Sequence, residues 1–161
     1  MQKRGVFEIS FGMIFSIIII IAIISVAFYV LTKFMGVSKC TQVGLFYDDL
    51  KTYTEKAWQA QIHKDTFTGS LPSGIELVCF GNFTQSPQAK YVSVFNDLQE
   101  RQGRDKNVFL YPIQQECDLP LSAFKLLHVK TSNFFCVPVK NNKMQIKSEK
   151  SEFDSLVTLL P

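Results

Sequence analysis

The chain is 161 residues long, with 17 basic and 14 acidic residues, a net charge of +3 and two histidines. Setting aside an apolar N-terminal stretch leaves about 125 residues, enough for one domain and too few for two. That remainder mixes both signs almost evenly and so carries no electrostatic footprint for a nucleic-acid partner.

The first element is an apolar run behind a basic head. Residues 11–31 hold no charge. A helix over them reaches about 31 Å, the thickness of a bilayer's hydrocarbon core. A cleaved secretory signal has a shorter apolar region of about 7–15 residues. The run therefore predicts a transmembrane helix over 6–35, in contact with membrane lipid, after a basic leader at 1–5. Lys3 and Arg4 precede the run while Lys33 and Lys39 follow it, so the charge bias toward a cytoplasmic N-terminus is slight. The short N-terminal tail and the cysteines beyond the run point the same way. The expected location is the cell membrane, with the C-terminal domain outside. Glu8, Gly12 and Ser16 are spaced i, i+4, i+8 and share one helix face. Small and polar residues on one face let helices approach closely in lipid. This stripe is a candidate contact with a second copy or with another membrane helix.

The opening "MQKRGVFEISFGMIF" resembles the class III signal of type IV pilin-like proteins, most of all the archaeal versions. In that family a short basic leader ends in Gly, and a prepilin peptidase cuts after it. The mature chain then begins with an apolar helix that packs into a filament core or stays in the membrane. The resemblance implies a leader ending Lys3-Arg4-Gly5 and Val6 as the first mature residue. Family members usually carry Glu at the fifth mature position, where it neutralises a neighbour's terminal amine; here Ser10 is fifth and Glu8 third. The resemblance also implies an amphipathic half-helix after the membrane half, packed on a small sheet. It covers roughly the first 35 residues.

Gly36-Val37-Ser38-Lys39-Cys40 predicts a break in the apolar helix near Gly36 or Gly44. Val43, Phe46, Leu50, Tyr53 and Ala57 then recur at three and four, which predicts a helix over 42–62. Pro72-Ser73-Gly74 marks a turn, and the alternation of Ile75, Leu77 and Cys79 with Glu76, Val78 and Phe80 predicts a strand. Ser86 as cap and Pro87 at the first position open a helix over 87–102. Its apolar face is Tyr91, Val94, Phe95 and Leu98, and Gly103 sits at its end. "NVFLYP" reads as a strand, 113–122 as a loop, and "FKLLHVK" and "FFCVPVK" as strands. Lys140-Asn141-Asn142-Lys143 is a tight turn that returns "MQIKSE" as a hairpin partner. Ser151 caps a last short helix with Phe153, Leu156, Val157 and Leu160 on one face. The fold class is α+β: a transmembrane helix, then an extracytoplasmic domain over 36–161 with helices on a mostly antiparallel sheet.

The four cysteines, Cys40, Cys79, Cys117 and Cys136, all follow the apolar run. None has CxxC spacing, and His63 and His128 are far from each in sequence, so no metal site is expected. An even count beyond a membrane segment suggests disulfides in an oxidising space. Three connectivities are possible; Cys79 and Cys136 both sit in strand-like runs, which suggests them as one pair and leaves Cys40 with Cys117. Asn82-Phe83-Thr84 is a sequon for N-glycosylation in a turn-like stretch. No nucleophile elbow, phosphate loop, dinucleotide fingerprint or metalloprotease motif occurs. The expectation is a chain without catalysis or cofactor: a membrane-anchored pilin-like structural or surface-interaction protein, with a filament subunit as its most specific form. The alternative is a monomeric single-pass anchored domain that binds a ligand or assists assembly of an envelope complex.

Overall fold

The computed structural model describes residues 11–101, 105–112 and 122–161. It divides into an N-terminal unit ending at Gly36 and a C-terminal unit from Val37 to Pro161. One helix, α1, runs from Phe11 to Gln59, 49 residues. The expected break at Gly36 or Gly44 does not occur. A glycine within a helix costs about 0.5–1 kcal/mol relative to alanine. Cooperative extension from both sides outweighs so small a penalty, and the first proline is Pro72.

In the C-terminal unit the helix is amphipathic. Val43, Phe46, Tyr47, Leu50, Thr54 and Ala57 are buried, and Asp48, Asp49, Lys51, Glu55 and Lys56 are exposed. Here α1 stops at Gln59, short of the expected 62. Lys150 Nζ donates to the carbonyls of Trp58 and Ala60, satisfying acceptors that a helix end leaves open. The chain then enters a strand that was not expected, β1 (His63–Ser70).

The other strands are β2 (Leu77–Phe80), β3 (Val108–Tyr111), β4 (Ala123–Phe124), β5 (Val129–Lys130), β6 (Phe135–Pro138), β7 (Lys143–Lys150) and β8 (Val157–Leu160). They form two four-stranded sheets, ordered β1-β7-β8-β5 and β4-β3-β2-β6. Among the described residues every pairing of these strands is antiparallel except β5 with β8. The α+β class and the antiparallel sheets agree with the sequence reading.

Three local expectations are corrected. "FKLLHVK" is not one strand. It divides into β4 and β5 in different sheets, because the Asn107 side chain takes both backbone groups of Leu126 and His128 turns to φ 61°. The Lys140–Lys143 turn does form, with Asn141 and Asn142 at φ 51° and 60°. Beyond that turn, however, β7 leaves β6 and pairs with β1 and β8, so "MQIKSE" is not the hairpin partner of "FFCVPVK". The last segment is β8 and not a helix: Val157 and Leu159, two apart, are its buried residues. Asp154 closes the Ser151 turn before it, accepting from the Ser151 amide and hydroxyl.

Helix α2 (Val92–Arg101) follows one 3-10 turn, Ala89–Tyr91. Pro87 lies outside it and bridges Phe134, while the Ser86 carbonyl accepts from Phe134 N–H. The capping role assigned to Ser86 is therefore corrected: its carbonyl serves a sheet bridge. Gly103 lies outside the described residues. The apolar face shared by the 3-10 turn and α2 buries Tyr91, Val94, Phe95 and Leu98 as expected.

The second sheet has an apolar cluster on each face. Val78, Phe80, Val108, Leu110, Phe135 and Val137 join the α1 face in one cluster, completed by Phe67, Met144, Ile146, Val157 and Leu159 of the first sheet. Cys79, Phe109, Phe134 and Cys136 meet α2 in the other. The ring of Phe46 lies over Gly69, 2.5 Å from where a Cβ there would stand, so a side chain at that position has no room.

Candidate functional site

Two features of the described residues could carry function: the apolar surface of α1 and a polar cluster at its far end.

Every residue from Gly12 to Phe34 is exposed, and Lys33 is the one charge among them. A helix that is apolar all round needs an apolar surrounding. The segment's serine and threonine hydroxyls match that need. Ser16 Oγ donates to the Gly12 carbonyl at 2.9 Å, Ser25 Oγ to Ile21 at 2.8 Å, and Thr32 Oγ1 to Tyr29 at 2.8 Å. Each donor is satisfied inside the helix, as a hydrocarbon environment demands. Lys33 Nζ lies 5.8 Å from the Tyr29 ring, at the end of the run. A tyrosine and a lysine there suit the level of lipid headgroups.

Of the expected contact stripe, Gly12 and Ser16 lie on α1 and are exposed; Glu8 lies outside the described residues, as do Lys3, Arg4, Gly5 and Val6. Ser16 directs its proton to Gly12, so its hydroxyl is bonded within its own helix.

At the far end, Tyr53, His63 and Ser148 form a triangle. Tyr53 OH is 2.7 Å from Ser148 Oγ and 3.2 Å from His63 Nε2, and His63 Nε2 is 3.0 Å from Ser148 Oγ. Burial holds the Tyr53 phenol above its ordinary pKa; the Ser148 hydrogen bond works against this and the charge of Asp65 adds to it. Burial alone pushes Tyr47 up. Ser148 is fully buried. A hydroxyl that substrate cannot reach serves as a polar pin between helix and sheet, not as a nucleophile. Beside this triangle, Trp58 stacks on His128 with centroids 3.8 Å apart, and its Nε1–H donates to the Ser155 carbonyl at 3.1 Å. Sequence gave no sign of the triangle, because 85 residues separate His63 from Ser148.

Cys79 and Cys136 face each other across β2 and β6 and are joined by a disulfide, with Cα atoms 3.9 Å apart. Cys40 is disulfide-bonded as well. Cys117 lies outside the described residues. Asn82 is exposed in the turn after β2. No group of three or more His, Cys, Asp or Glu side chains suited to a metal ion occurs among the described residues. No family model matches the chain, and neither a curated protein nor a solved structure matches it.

Proposed function

We propose that this chain is a membrane-anchored, pilin-like structural or surface-interaction protein, whose most specific form is a filament subunit. The observation that carries the reading is the exposed apolar surface of α1 from Gly12 to Phe34, with its serine and threonine hydroxyls satisfied internally. Such a surface is stable in lipid or against other apolar helices, and unstable in water. Phe11–Leu31 has the length to cross a bilayer. Two further observations support the pilin-like form. The same helix continues as an amphipathic half that packs on strands, as the resemblance implies. The Cys79–Cys136 disulfide suits an oxidising space, and so an N-terminus inside and a domain outside. No catalytic role is assigned.

Intact mass of protein from native membranes tests the pilin-like form. Loss of Met1–Gly5 is the expected result, and a retained leader overturns processing. A retained leader would favour the second reading, a monomeric anchored domain that binds a ligand or assists an envelope complex. The internal bond from Ser16 to Gly12 favours that reading, since it commits the stripe's one hydroxyl to its own helix.

A further inference from the structure

We infer that Asn82 is the attachment point of an N-linked glycan. The inference rests on the proposed external position of the C-terminal unit. Of the six asparagines, Asn82 alone has Ser or Thr two residues later. Such a match arises easily by chance; the conformation of the turn gives it weight.

The turn begins at Gly81, whose φ of +125° is strained for any other residue. A Cβ there would also meet Phe134 Cα at 2.9 Å. The chain so redirected sends alternate side chains to opposite sides. Phe83 turns inward, with ring centroids 4.8 Å from Phe109 and 5.5 Å from Phe95. Asn82 and Thr84, on either side of it, are exposed. The middle residue is thus an apolar anchor, and the two residues a transferase must read both face out.

Their side chains are arranged toward each other. Thr84 N–H donates to Asn82 Oδ1 at 3.1 Å, and Thr84 Oγ1–H donates to the same oxygen. The backbone N–H of Asn82 donates to Gln85 Oε1 at 3.1 Å, and Gln85 is tied in turn to Thr131. The side-chain oxygen is occupied, and among the described residues no acceptor takes the Nδ2 protons of the exposed Asn82. Two donors on Oδ1 also stabilise negative charge that gathers there as Nδ2 gives up a proton. Asn82 stands at the rim of a depression of about 220 Å³ lined by Gln85, Asn107, Lys130 and Thr131, among others. A sugar on Nδ2 would meet hydrogen-bonding groups there.

The donor is a lipid-phosphate-linked sugar, brought by a membrane glycosyltransferase. A bond forms between Asn82 Nδ2 and the anomeric carbon. The bond from that carbon to the phosphate oxygen breaks, and its electron pair leaves with the lipid phosphate. One Nδ2 proton passes to a base of the transferase. Nothing is oxidised or reduced.

The test is peptide mass mapping, without reduction, of the full chain purified from membranes of its own cells. The Asn82 peptide is expected to be heavier than its sequence by at least one sugar. Thr84→Ser keeps the modification. Thr84→Ala and Asn82→Gln lose it, with the domain's melting temperature unchanged. Unmodified Asn82 beside an intact Cys79–Cys136 bond overturns the glycan and leaves the external position standing. Unmodified Asn82 with both thiols free overturns both.

Discussion

The two halves of α1 share one backbone geometry and meet different demands. From Gly12 to Phe34 the helix is exposed and apolar on every side; from Val43 to Ala57 it buries one face and wets the other. The first pattern has no preferred direction and is satisfied by any apolar medium. The second is directional and is satisfied only by the strands it packs on. Anchoring and folding can therefore be damaged separately.

The largest separation should come from charging the first half. Ile19→Lys together with Ile23→Lys costs insertion about 6 kcal/mol, at about 3 for each lysine near the bilayer centre. The double variant should lose resistance to alkaline extraction of membranes, while the domain's melting temperature holds. A fall in that temperature would mean the halves are coupled. The reciprocal change is Leu50→Ala. Leu50 is fully buried, and its truncation should destabilise the domain by about 2–5 kcal/mol. Membrane retention should stay at wild-type level, and an extractable variant would break the comparison.

A smaller effect probes the polar pin. Ser148→Ala leaves Tyr53 OH and His63 Nε2 within 3.2 Å of each other, so the cost should be only about 1 kcal/mol by denaturant unfolding. Pairing it with Tyr53→Phe should give a non-additive cycle, and strict additivity would show that the triangle does not act as a unit. The smallest effect lies at Asp154, whose turn positions the Ser155 carbonyl for Trp58. The Lys130 ammonium, followed by the Ser151 hydroxyl and amide, lowers the Asp154 carboxyl to about 2. A depressed carboxylate contributes stability above its unfolded pKa, near 4, and loses it as pH falls toward 2. The melting difference between wild type and Asp154→Asn should thus be small but present at pH 6 and close between about pH 4 and 2. A difference that grows with acid would reverse the assignment.

The sequence showed most clearly the elements whose signals are local. The apolar run, the face of α2, the Asn141–Asn142 turn and the strand positions of Cys79 and Cys136 each follow from a few neighbouring residues. Elements set by distant partners were misread. Strand β1 buries only Phe67 and Gly69 completely, and a glycine hides the alternation. The segment before Pro161 offers apolar residues at helical spacing, yet the edges offered by β7 and β5 make it a strand. "FKLLHVK" is divided by Asn107, 19 residues from Leu126. For the candidate site, the long apolar helix was legible because its signal lies in composition alone. The polar triangle was not, because it depends on how β1 and β7 align.

Phe46 and Gly69 finally place a constraint on how this chain can change over time. The ring fills the space that a side chain on β1 would need. Neither position can vary freely by itself: enlarging Gly69 crowds the ring, and shrinking Phe46 leaves a void over a bare backbone. The two form a single heritable unit split between helix and strand. Descendants that keep the fold should retain both residues, because Phe67 Cε1, 2.8 Å from the same Cβ position, blocks an exchange of their sizes.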